Sequence, residues 1–170
     1  MQRKSKYLWA ALAASLCLIV ALLALTAGGG SGTGAVTYRV ADGTGKATVE
    51  GSVLTPKQAG TVTVTAIKAS DDEFEAVESA PVTITIEKAT PTGEPIYTKI
   101  TAAGKHLKDA NLQRNSSWPD GKLQWVDKDG KELPETTDVK ANTFYKWIFA
   151  PADTANYEPA DGKITLYSVS

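Results

Sequence analysis

Val82-Thr83-Ile84-Thr85-Ile86 is the stretch that decides the fold. In an extended chain successive side chains point to opposite faces, so Val82, Ile84 and Ile86 fall on one side and the two threonines on the other. All five residues are β-branched, a class stiff at χ1 that packs well on a pleated surface. Working outward, Thr61-Val62-Thr63-Val64-Thr65-Ala66 and Val36-Thr37-Tyr38-Arg39-Val40 keep the same period of two. So do Leu123-Gln124-Trp125-Val126, Phe144-Tyr145-Lys146-Trp147-Ile148-Phe149 and Ile164-Thr165-Leu166-Tyr167. Asp42-Gly43, Asp120-Gly121, Asp129-Gly130 and Asp161-Gly162 punctuate these runs and read as tight turns, because glycine tolerates the positive φ that hairpins need. Only residues 107–112 leave room for a helical turn. From Ala35 onward the pattern predicts an all-β chain of sandwich type.

The start of the chain reads differently. Arg3, Lys4 and Lys6 are followed by an uncharged, mostly apolar run from Tyr7 to Ala27. As a helix rising about 1.5 Å per residue, that run would cross a hydrocarbon core of roughly 30 Å. A cleaved signal peptide fits the basic start and the small residues Ala27-Gly28-Gly29, and an uncleaved membrane anchor fits the length. Both place the rest of the chain outside the cytoplasm, because the positive flank stays within. Cys17 follows Leu16, a poor neighbour for a lipid-modified cysteine, and reads as a filler of the helix. No cysteine occurs beyond it, so no disulfide framework is available.

Two halves can be overlaid. Thr61 precedes Phe74 by thirteen positions, with the acidic loop Asp71-Asp72-Glu73 between them, and Thr143 precedes Tyr157 by fourteen, across Asp153-Thr154-Ala155-Asn156. The match suggests two related modules in tandem. Asp153-x-Ala155-x-Tyr157 has the spacing of a tyrosine corner, in which the hydroxyl bonds back to nearby backbone. Lys88 to Pro95, with two prolines, reads as a short stiff junction. Pro81 marks the start of Val82–Ile86 as an edge position.

Two longer stretches resemble a known family. Gly43-Thr44-Gly45-Lys46-Ala47-Thr48-Val49 with Gly60-Thr61-Val62-Thr63-Val64-Thr65-Ala66 is similar to bacterial immunoglobulin-like (Big-type) repeats of Gram-positive modular surface proteins. Trp125-Val126-Asp127 to Leu133-Pro134, with Tyr145 to Asp153 and Asn156-Tyr157, looks like the companion repeat. The resemblance implies two tandem immunoglobulin-like β-sandwich modules, 30–88 and 89–170, after an N-terminal hydrophobic helix within residues 1–29. It also implies a non-catalytic spacer or adhesion role at the cell surface. The first module is truncated if Leu22 to Ala27 belong to the hydrophobic helix.

Composition narrows the chemistry. Without Arg3, Lys4 and Lys6 the acids exceed the bases by four, against an overall formal charge of −1. That balance lacks the basic footprint of a nucleic-acid binder. His106 is the single histidine, and no cysteine accompanies it beyond the leader. The sequence therefore assembles no His/Cys metal cluster and no nucleophile–histidine pair, and neither a cofactor nor a catalytic residue is expected. Asp127-Lys128-Asp129-Gly130 reads as a hairpin turn before a calcium loop. Leu133-Pro134-Glu135-Thr136-Thr137, similar to a sortase signal but internal, reads as a loop.

Aromatics carry the remaining functional reading. Tyr145, Trp147 and Phe149 share one strand face and Phe144 and Ile148 take the other. With both faces apolar the strand is expected to be central and its aromatics to serve as core, with a sugar platform as the alternative. Trp118, in Asn115-Ser116-Ser117-Trp118-Pro119, is expected to be the most exposed aromatic. Trp118 with Trp125 or Trp147 would then form a stacking platform for a polysaccharide. Expected partners are thus cell-surface proteins or polysaccharide, with the membrane as a further partner if the N-terminal segment stays in place.

Overall fold

The computed structural model describes residues 8–11, 15–17 and 22–170. The chain is nearly all β, arranged in several antiparallel sheets. It divides into two compact units, Met1–Ala89 and Thr90–Ser170.

In the first unit, β5 (Val36–Asp42), β8 (Gly60–Lys68) and β10 (Val82–Glu87) form the main sheet, with β8 central and short β9 (Val77–Glu78) pairing on its far end. The opposing sheet is β6 (Lys46–Glu50), β7 (Val53–Gln58) and β3 (Leu23–Ala24). Val62 and Val64 of β8 and Ile84 and Ile86 of β10 meet Ala47, Leu54 and Leu25 in one apolar cluster, so the alternating residues close a core between the two sheets. The threonines between them on β10 face out. Arg39 on β5 reaches across β8 to make a two-pronged contact with Glu78 of β9, at 3.1 and 2.9 Å. Both side chains are more than half exposed, so solvent screens the pair and it adds little to stability.

The N-terminal segment corrects the expectation of a helix. Where described, it is strand: β1 (Leu8–Ala11) runs antiparallel to β4 (Thr26–Gly29), and β2 (Ser15–Cys17) runs parallel to β10. Among the described residues no helix is long and apolar enough to cross a membrane. The basic patch Arg3, Lys4 and Lys6 and residues 12–14 and 18–21 lie outside the described residues. An apolar run without polar alternation fits a buried strand as well as a helix, and length alone favoured the helix. Here pairing to β10, β4 and β7 decides it. Leu25 is only 3% exposed, and its N–H donates to the Ser52 carbonyl at 2.7 Å. Pro81 stays outside β10, whose far edge takes β2 and is not free.

The second unit has one sheet, β11 (Gly121–Val126), β12 (Phe144–Pro151) and β13 (Ala160–Thr165), with β12 central as expected. Its inner face is covered by the segment from Thr90 to Asp120, largely irregular, and by Val139. The short 3-10 turn Leu107–Ala110 matters here, because Leu107 and Ala110 are fully buried in this cover. Pro91 and Pro95 of the expected junction are also buried, and the Thr92 and Glu94 carbonyls accept bonds from Trp118 and Asn115.

Two of the Asp-Gly pairs are not turns. Gly162 lies inside β13 opposite Trp147, and a Cβ there would stand 2.6 Å from Trp147 Cζ2. Gly121 opens β11, where a Cβ would stand 2.7 Å from the Phe149 ring. Both glycines make room for the large side chains of β12, a use of strand glycine distinct from turning. Gly130, at φ +82°, is a true turn residue.

Candidate ligand-binding surface

β12 positions the site by its period of two. Tyr145, Trp147 and Phe149 point inward and are buried, while Phe144, Lys146 and Ile148 take the outer face. The inward set packs as a ring cluster. Trp118 sits 5.4 Å from Trp147 and 5.0 Å from Phe149 between centroids, and Trp125 meets Tyr145 edge-on at 6.4 Å. Tilted and edge-on pairs of this kind add about 0.5–1.5 kcal/mol each beyond the area they bury.

This cluster corrects the tryptophan platform. Trp118, Trp125 and Trp147 are brought together, but at 3, 5 and 4% exposure they offer no face to a sugar. The reason lies in the loop before Trp118. Asn115 Oδ1 accepts from the Ser117 N–H at 3.0 Å and its carbonyl from the Trp118 N–H, a local turn that swings the indole inward. The indole N–H then donates to Thr92 at 2.7 Å, which leaves the ring buried and its polar atom satisfied. Arg114 clamps the loop from outside, donating to the Trp118 carbonyl and to Asp120.

The expected tyrosine corner is displaced in the same way. Tyr157 is half-buried, and its backbone N–H donates to the Asp153 carbonyl. The hydroxyl that bonds back to upstream backbone belongs to Tyr145, which accepts from the Lys140 N–H at 2.8 Å and donates to the Asp138 carbonyl at 3.1 Å. This fixes residues 138–140 against the end of β12.

The outer face carries the one exposed large aromatic in the described residues of this unit. Phe144 is 70% exposed and stands in an open groove of about 610 Å³. Lys128, Lys140, Lys146 and Lys163 line it with Phe144. Lys146 and Lys163 are cross-strand neighbours on β12 and β13, so the sheet register itself sets two of the charges side by side. Lys146 reaches Asp161 at 3.5 Å and Lys128 reaches Asp129 at 2.7 Å. Lys140 and Lys163 have no carboxylate partner among the described residues. The groove's own acids are engaged elsewhere. Asp127 accepts from the Lys131 and Asp129 N–H groups, both at 2.9 Å, and those bonds hold its carboxyl below the usual range. Asp138 faces His106 Nε2 at 3.4 Å.

No family model matches the chain, and no curated protein does.

The other acidic and ionisable groups serve turns. Asp71 accepts from the N–H groups of Thr33, Glu73 and Phe74, at 2.5, 3.0 and 2.9 Å, and its carboxyl is lowered to about 2, chiefly by the Thr33 bond. Asp109 caps the 3-10 turn by accepting from the His106 N–H at 2.8 Å, which lowers its carboxyl. Among the described residues no group of three or more His, Cys, Asp or Glu side chains converges as a metal site would require. Leu133 to Thr137 forms a loop closed by Thr137 donating to the Pro134 carbonyl, and it accepts the N–H groups of Leu107 and Lys108.

Phe144 with its lysines escapes the sequence reading, which places Phe144 on a second apolar face of a central strand. The available signal was Lys146 between Phe144 and Ile148. A cation in mid-row marks that face as open to solvent.

Proposed function

We propose that this chain is a non-catalytic spacer and adhesion module of a modular bacterial surface protein, built from two tandem immunoglobulin-like units. The observation that carries the reading is the division into two compact β units, each with its own apolar core. Separate cores behind short antiparallel strands suit a mechanical display module better than a single-pocket enzyme.

Kinship of the two units has local support. β8 pairs antiparallel with β10 and β12 with β13, and an acidic loop follows the first strand of each pair, with short β9 intervening before β10. Each loop opens on an aspartate whose Oδ1 accepts the N–H three residues on, Asp71 from Phe74 and Asp153 from Asn156. The resemblance to Big-type repeats and the apolar N-terminal stretch support export and display at the cell surface.

Protease treatment of intact cells expressing the full chain tests this. The reading requires that the chain be digested on whole cells while a cytoplasmic marker survives. Full protection until lysis refutes it. The carbohydrate alternative built on Trp118, Trp125 and Trp147 loses its platform, since all three side chains serve the core.

A further inference from the structure

Resting on the adhesion reading, we infer that the groove around Phe144 binds acidic polysaccharide, a polymer bearing uronate carboxylates. Phe144, 70% exposed, presents an apolar ring face in the lining of the groove whose burial under a ligand would be favourable. A flat aromatic face in solvent suits the apolar C–H face of a pyranose ring. Lys140 and Lys163, without carboxylate partners, supply compact charges that suit single carboxylates spaced along a chain. Thr137 and Thr143, also in the lining, offer hydroxyls, and Asp138 offers an acceptor for sugar hydroxyls.

The same acids argue against binding by charge alone. Asp129 and Asp161 pair with Lys128 and Lys146, and Asp127 and Asp138 stand in the lining, which leaves Lys140 and Lys163 as the uncompensated cations. The chain as a whole carries a net charge of −1. A uronate polymer joins each carboxylate to several hydroxyls and an apolar ring face, which matches two uncompensated lysines, interspersed acceptors and the Phe144 ring.

Affinity electrophoresis of the full chain tests the assignment, with gels containing polygalacturonate, dextran, polyglutamate or polyuridylate at about 0.15 M salt. The expected result is retardation by polygalacturonate and none by the other three. Phe144→Ala should weaken that retardation about tenfold, the scale on which loss of one stacking ring acts. Lys140→Glu with Lys163→Glu should abolish it, and both variants should keep the wild-type tryptophan emission, since these side chains lie outside the core. No retardation by polygalacturonate overturns the inference, as does equal retardation by polyglutamate or polyuridylate. Retardation unchanged in Phe144→Ala also overturns it. A chain shaved from intact cells yet indifferent to polygalacturonate would remove the groove's role and leave the display reading standing.

Discussion

Leu25→Ala should destabilise the first unit selectively. Leu25 sits in the run that reads as leader, yet it is 3% exposed and clusters with Leu54, Val62, Val64, Ile84 and Ile86. Its removal costs the transfer of three carbons plus the cavity left behind, which for leucine in a well-packed core is about 2.7–5 kcal/mol. A unit of this size holds only about 5–10 kcal/mol in total. The change therefore takes about a quarter or more of its stability and lowers its melting temperature by more than about 10 °C. Hydrogen exchange read by mass spectrometry resolves the two units in one experiment. Peptides covering β8 should lose protection by about two orders of magnitude or more, as a loss of that size demands at about 1.4 kcal/mol per tenfold, while peptides covering β12 stay as in the parent. Unchanged protection of β8 would refute the placement of Leu25 in the core. It would return residues 22–29 to the hydrophobic leader.

Three other outcomes are expected. Gly162→Ala places a methyl against the Trp147 indole, where the space is 2.6 Å, and should cost about 1–3 kcal/mol by overpacking; tryptophan-detected urea unfolding reads it, and a midpoint equal to the parent's would contradict the register of β12 on β13. Tyr145→Phe removes the hydroxyl between Lys140 and Asp138 and should cost about 1 kcal/mol, with faster exchange at the Lys140 amide. Acid should loosen the Asp71 loop. Its carboxyl, about 2 when folded against an ordinary 3.8, binds protons more weakly in the folded state, so its contribution is present above about pH 4 and is lost as pH falls towards 2. Asp71→Asn should remove that acid-dependent change in exchange at Thr33 and Phe74, and a change that persists in the variant would reassign it to other carboxylates.

Much of the fold was legible because period-two alternation of β-branched and aromatic residues has one physical meaning wherever one face is buried. Val62, Val64, Ile84, Ile86, Tyr145, Trp147 and Phe149 all went where alternation sends them. The misreadings share a cause, which is that local signals were decided by distant partners. Asp161-Gly162 carries turn chemistry, but its glycine answers to the Trp147 ring across the strand pair. Residues 22–29 carry no alternation, so only their pairing with β7 and β1 shows that they are strand. Asn115-Ser116-Ser117 looks solvated, and its polarity is real, yet its hydrogen bonds are local and they turn Trp118 inward.

The site follows the same logic with the opposite outcome. A three-stranded sheet has two faces, and the second unit possesses one cover, the segment from Thr90 to Asp120. Every large ring that alternation directs to the covered side is consumed by cohesion, Trp125 and Trp147 included, and the turn before Trp118 sends that ring to the same side. Phe144 is the ring directed to the other side, and Lys146 and Lys163 beside it keep that side wet. Recognition by the proposed groove would therefore depend on parity along β12. Even-numbered residues are available to a ligand and odd-numbered ones are not, so an aromatic moved by one position would pass from surface to core. Phe144 and its lysines are where the second unit has chemistry left to spend.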